Sequence, residues 1–82
     1  MSRARDVVEV VARELADHPD AVRVTEREHR GQTVIELFMA PGDLGRVIGR
    51  QGRTATALRT LTAAAADLEG AKVTLEFRDD DR

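Results

Sequence analysis

The stretch Gly45-Arg46-Val47-Ile48-Gly49-Arg50-Gln51-Gly52-Arg53-Thr54 combines three glycines and three arginines with one apolar pair and no acid. Gly49 and Gly52 bracket only Arg50 and Gln51, and a helical pattern begins directly afterwards. Those residue types at that spacing fit the binding of a sugar-phosphate backbone. Glycines carry no Cβ, so a phosphate chain can approach the main chain. The N–H groups of a helix start point at the anion, and the helix dipole favours it. Arg50 and Arg53 then act as charge partners, with Arg46 flanking, and Gln51 can donate to phosphate or sugar oxygens. Val47 and Ile48 either anchor the loop in the core or form an apolar groove wall against which bases lie; the core is the better expectation.

Folding alone would choose differently. A stable helix start takes Ser, Thr, Asp or Asn at its cap and acids in its first turn. Here Gly52 is the cap and Arg53 the first helical residue. Each cation at a helix N-terminus opposes the dipole by roughly 0.3–1 kcal/mol, a sign that a bound phosphate reverses. Other glycine-loop chemistries fit worse. The spacing Gly45-x3-Gly49-x2-Gly52 is not that of a dinucleotide loop, and no Lys-Ser or Lys-Thr follows it as a nucleotide P-loop requires. With neither Tyr nor Trp, an aromatic base-stacking sheet is excluded. Gly45 fits a simpler role, close helix packing.

The 82 residues make one small domain with a thin core. There is no cysteine, hence no disulfide, thiolate metal site or cysteine nucleophile. That composition, with no signal-peptide pattern and no membrane-length apolar run, leads us to expect a cytoplasmic protein. The formal net charge of −2 hides an uneven distribution. Between Leu44 and Ala66 stand Arg46, Arg50, Arg53 and Arg59 with no acid, leaving nine basic residues against all fifteen acids elsewhere. A local basic patch on an acidic body is the footprint of a polyanion binder, although solvated charge can also cluster by chance. His18 precedes a proline and His29 lies in a turn; both read as surface histidines without metal-ligand spacing. No nucleophile–base pair stands out, so we expect no enzyme, no cofactor and no metal.

The elements that must position the loop follow from periodicity. Residues 3–17 carry Ala4, Val7, Val8, Val11 and Leu15 at helical spacing after a capping Ser2, with Pro19 as the stop. Residues 21–29 and 33–40 read as strands joined by a turn at Arg30-Gly31. The second is the more apolar and is expected at the sheet centre, with Ile35, Leu37 and Met39 on the covered face and Phe38 on the open one. Pro41-Gly42-Asp43 breaks this strand, and Asp43 is expected to cap a short helix over 43–48. Residues 53–68 form the next helix, with Ala55, Leu58, Leu61, Thr62, Ala65 and Leu68 on its stripe and Gly70 closing it. Residues 71–78 alternate as a last strand. The reading is α+β, in the order α-β-β-α-α-β, a three-stranded mixed sheet covered on one face by three helices. The single domain spans residues 1–78, and 79–82 are expected to be a disordered acidic tail.

Val47-Ile48-Gly49-Arg50-Gln51-Gly52, set between two helices, resembles the VIGxxG signature of the KH domain, and the element order that of its bacterial type II form. Pro19-Asp20-Ala21-Val22, Ile35-Glu36-Leu37, Ala40-Pro41, Leu44 through Arg53, and Leu58-Arg59 extend the resemblance over the whole chain to the KhpA (YlqC-like) family of small bacterial KH proteins. The resemblance implies single-stranded RNA binding, as an RNA chaperone or post-transcriptional regulator. Gly49, Arg50, Gln51 and Gly52 would be the clamp, with Arg46 and Arg53 beside it. It also implies a homodimer, or a heterodimer with a companion KH protein. The alternative is a protein–protein adaptor that keeps the fold and binds nucleic acid weakly. The chain departs from the pattern at Thr54 and Ala55, where bulky aliphatics are usual, and at Phe38, where a polar residue is common.

Overall fold

The computed structural model describes residues 2–79. Helix α1 spans Arg3–Leu15, and Ser2 caps it by accepting the Arg5 N–H at 3.0 Å. Strands β1 (Arg23–His29) and β2 (Gln32–Met39) form an antiparallel hairpin. Helices α2 (Pro41–Ile48) and α3 (Arg53–Asp67) then lead to β3 (Val73–Asp79), which pairs parallel to β2. The sheet order is β1-β2-β3, so the most apolar strand is central, as its composition requires. Ile35, Leu37 and Met39 of β2 are fully buried against Val8 and Ala12 of α1, Val47 of α2, and Leu58, Ala65 and Ala66 of α3. The three helices therefore cover one face of a three-stranded mixed sheet.

The hairpin turn places two residues at positive φ, Arg30 at 54° and Gly31 at 78°. Two such residues match the right-handed twist of the flanking strands. Gly70 closes α3 as expected. Its φ is 68°, its N–H bonds the Asp67 carbonyl, and the Ala71 N–H bonds the Ala66 carbonyl, each at 3.0 Å.

Four expectations need correction. Helix α1 stops at Leu15 rather than 17, because Ala16 is already extended and the next N–H groups have another acceptor. Asp17 and His18 donate theirs to the Asp43 carboxylate, His18 at 2.8 Å. Asp43 is accordingly not the cap of α2. That helix begins at Pro41, whose missing N–H costs nothing in the first turn, and Asp43 lies buried within it. Leu61 on α3 and Leu68, its C-cap, are 54% and 75% exposed, and Ala66 is buried in their place. At 3.6 residues per turn they fall about 60–80° from Leu58, on the side away from Ala55 and Ala66. Finally, the last strand, expected over residues 71–78, runs from Val73 to Asp79. The remainder of the expected tail, residues 80–82, lies outside the described residues. Among the described residues, no helix is long and apolar enough to cross a membrane.

Candidate nucleic-acid interface

Helix α2 aims the loop. Val47 has no solvent exposure and ties the helix to the core, so the chain leaves α2 at a fixed point. Ile48 does not join it. It is 37% exposed, which corrects the expectation of a shared core role and makes it apolar wall beside the loop. The Gly49 N–H closes α2 on the Gly45 carbonyl at 3.0 Å. Gly49 itself has φ 77° and ψ 174°, a region that essentially only glycine occupies. Arg50–Gly52 then make a single 3-10 turn, held by the Gly52 N–H on the Gly49 carbonyl at 3.2 Å. Within it Gln51 (φ 59°) and Gly52 (φ 72°) are both left-handed. A non-glycine residue in this conformation is uncommon and concentrates at functional sites.

The two glycines differ in what demands them. A Cβ on Gly49 would lie 2.5 Å from Thr54 Oγ1 and 2.9 Å from Thr54 Cβ. A Cβ on Gly52 would meet nothing within 4 Å, so this position faces open space. Gly49 thus packs on the first turn of α3, while Gly52 leaves main chain accessible. No side chain caps α3; the Arg53 N–H bonds the Arg50 carbonyl, and the N–H groups that follow in the first turn have no helical carbonyl to bond. This end of the helix can receive an anion.

Around this cradle Arg50, Gln51 and Arg53 are exposed. Gln51 Oε1 accepts from Arg53 Nη2 at 3.0 Å, so the two side chains stand together over the loop. Arg46 is also exposed, but its guanidinium is engaged by Asp17. Ala55, in the first turn of α3, is 4% exposed and buried.

Sequence reasoning missed the ground beyond the loop. A groove of about 280 Å³ runs between α3 and the free edge of β3, lined by Arg59, Thr62, Ala63, Val73, Thr74 and Leu75. The Arg59 guanidinium stands 4.8 Å from the centre of the Phe77 ring. Arg59 follows Arg53 along α3 by about 9 Å of rise, so charge continues from loop to groove. Its place in the acid-free segment and in the Leu58-Arg59 pair were the sequence signals for it. A larger depression, about 310 Å³, lies on α1 among Asp6, Val7, Val10 and Val11. It offers no cation and belongs to another helix, so size does not make it the site.

Asp43 lies buried in the first turn of α2. Burial is the largest influence on its carboxyl and pushes its pKa up. Hydrogen bonds from the His18 and Asp17 N–H groups and the His18 ring outweigh that together and hold it below the ordinary value. His18 keeps its ring exposed, with Nδ1 3.3 Å from Asp43 Oδ2, and His29 is exposed. Phe38 is half-buried on the open face, with the Arg23 guanidinium 4.0 Å from its ring centre.

Two helices joined by a Gly-x-x-Gly turn, between two parallel strands and preceded by a helix and a strand, define a type II KH domain. Within that class, the family description "KhpA/KhpB, KH domain" matches residues 5–77, and the chain belongs to this family. An RNA-binding protein KhpA of Aquifex aeolicus is 51% identical over 77 residues, covering 94% of this chain and 98% of that protein. An RNA-binding protein KhpA of Halalkalibacterium halodurans is 47% identical, covering 92% and 99%. Among solved structures, the chain resembles part of Era, crystallised with MgGDPNP and a segment of 16S ribosomal RNA. The TM-score is 0.62 at 22% identity, over 93% of this chain and 29% of Era, a likeness of fold.

Proposed function

We propose that this chain is a non-catalytic single-stranded RNA-binding protein that clamps the RNA backbone at its Gly49–Gly52 loop. The observation that carries the reading is the loop's conformation. Gly49, Gln51 and Gly52 take positive φ immediately ahead of a helix that no side chain caps. That arrangement is poor for stability and open to phosphate. In this reading the main chain of Gly49, Arg50, Gln51 and Gly52 meets phosphates, and Arg50 and Arg53 supply charge. Arg46 is a further cation at the rim. Val47 holds the loop in place, and Ile48 meets the sugar or base side. The α3–β3 groove receives bases, as KH domains use such a groove for unpaired nucleotides. Relatives named RNA-binding proteins support the ligand class.

The corresponding biological role is that of an RNA chaperone or post-transcriptional regulator in the cytoplasm, as a homodimer or paired with a companion KH-domain protein. Leu61 on α3 and Leu68 at its C-cap, both largely exposed, offer apolar surface for such pairing.

The test is the salt dependence of binding to a short unstructured RNA. Neutralising three or four phosphates gives a log–log slope of about −2 to −3, at roughly −0.7 per phosphate. Undetectable or salt-independent binding would favour the adaptor alternative.

A further inference from the structure

The Arg46 guanidinium does not stand ready for a phosphate. Its Nη1 donates to Asp17 Oδ1 at 3.0 Å and its Nη2 lies 2.9 Å from Asp17 Oδ2. This is a two-pronged fork, the same geometry through which arginine grips a phosphate. A phosphate that takes this same end-on edge must displace Asp17, and one that comes to the other edge meets a cation already neutralised.

The carboxylate is fixed opposite Arg46 by the fold. The Asp17 main chain donates its N–H to buried Asp43, and His18 does the same at 2.8 Å. Asp43 and Arg46 belong to the same helix, α2, which delivers the Gly49–Gly52 loop. The segment after α1 is therefore stapled to the clamp-bearing helix by its main chain. That staple leaves the Asp17 side chain facing the one arginine on α2. Both side chains remain more than half exposed, so RNA can reach the pair and exchange with it.

We propose that Asp17 is an intramolecular competitor for RNA at Arg46. It lowers the affinity of the clamp and sets how many cations are free to neutralise phosphate. This rests on the reading of the Gly49–Gly52 loop as a backbone clamp. Asp17 takes one N–H from each terminal nitrogen, so it holds the end-on fork of Arg46 and neutralises its charge while Nε and the other two N–H groups remain. Removing the charge should also relieve repulsion between the carboxylate and an approaching phosphate.

The experiment is Asp17→Asn, which keeps the main-chain N–H and nearly the same shape, titrated with a short unstructured RNA from low to moderate salt. Exposed ion pairs of this kind are weak, so affinity at low salt should rise about two- to fivefold. The salt slope should steepen by about 0.7, one phosphate's worth. Arg46→Gln should cost more affinity in the Asp17→Asn background than with Asp17 present, a coupling that a folding defect would not produce. Thermal unfolding should show Asp17→Asn folded. Unchanged or weaker binding by Asp17→Asn with an unchanged slope would overturn the competitor role while leaving the clamp intact. If the unaltered chain bound no RNA, the clamp reading would fall and this proposal with it.

Discussion

Gly49→Ala is expected to destabilise the domain by about 2–6 kcal/mol, through two separable effects. The first is conformational. Gly49 sits at φ 77° and ψ 174°. Forcing a residue with a side chain into such a sparsely populated region costs about 1–3 kcal/mol. The second is steric. The new methyl would lie 2.5 Å from Thr54 Oγ1, 2.9 Å from Thr54 Cβ and 3.2 Å from Thr54 N. The last two atoms are fixed to the first turn of α3 and cannot swing away, so overpacking adds about 1–3 kcal/mol. Gly52→Ala is the internal control. It has φ 72° but nothing within 4 Å, so only the left-handed conformation is charged against it, about 1–2 kcal/mol. The assays are urea and thermal unfolding followed by circular dichroism, with melting temperatures expected to fall about 4–8 °C per kcal/mol. Thr54→Gly in the Gly49→Ala background removes the Oγ1 and Cβ obstacles, and a double-mutant cycle should show a relieving coupling of at least about 1 kcal/mol. Gly49→Ala no worse than Gly52→Ala, or a cycle without coupling, would refute the packing argument.

Asp43→Asn should destabilise the protein at neutral pH and flatten its response to acid. The folded-state pKa of Asp43 is lowered from an ordinary 3.8, so its contribution is full above that value. It is lost as pH falls through the lower, folded-state pKa. Urea midpoints between pH 7 and pH 3 check this; an equal acid response in both proteins would count against it. Leu61→Glu with Leu68→Glu should leave the monomer's stability within about 0.5 kcal/mol, since both side chains are already exposed. Any self-association of the unaltered chain should be lost, as read by sedimentation over a concentration series. Retained association would place the contact elsewhere.

The parts of the fold that the sequence made legible are those with local causes. Alternation of Ile35, Leu37 and Met39 on one face sets a two-residue period, and the structure buries all three. Gly49-x-x-Gly52 announces its loop because glycine at positive φ is a backbone property. Asp43 misled because an acid after proline usually caps, and its true partners, Asp17 and His18, lie on the far side of a whole hairpin in the chain. Arg46 read as a free cation for the same reason, since its counter-ion stands 29 residues earlier. Leu61 and Leu68 have core-like types at core-like spacing. Only the close packing of the alanine face of α3 decides that the buried stripe turns toward Ala66 instead. The α3–β3 groove exists only once those elements are assembled.

The central claim is that residues of the exposed Gly49–Gly52 turn hold an RNA backbone. Arg50→Asp combined with Gln51→Asp tests it most directly. Both side chains are exposed, and the negative charges suit the dipole of α3, so the variant should fold with unchanged or slightly higher stability. Its affinity for a short unstructured RNA, titrated beside the unaltered chain at the same salt, should collapse. A folded double variant that binds RNA as well as the unaltered chain would contradict the account.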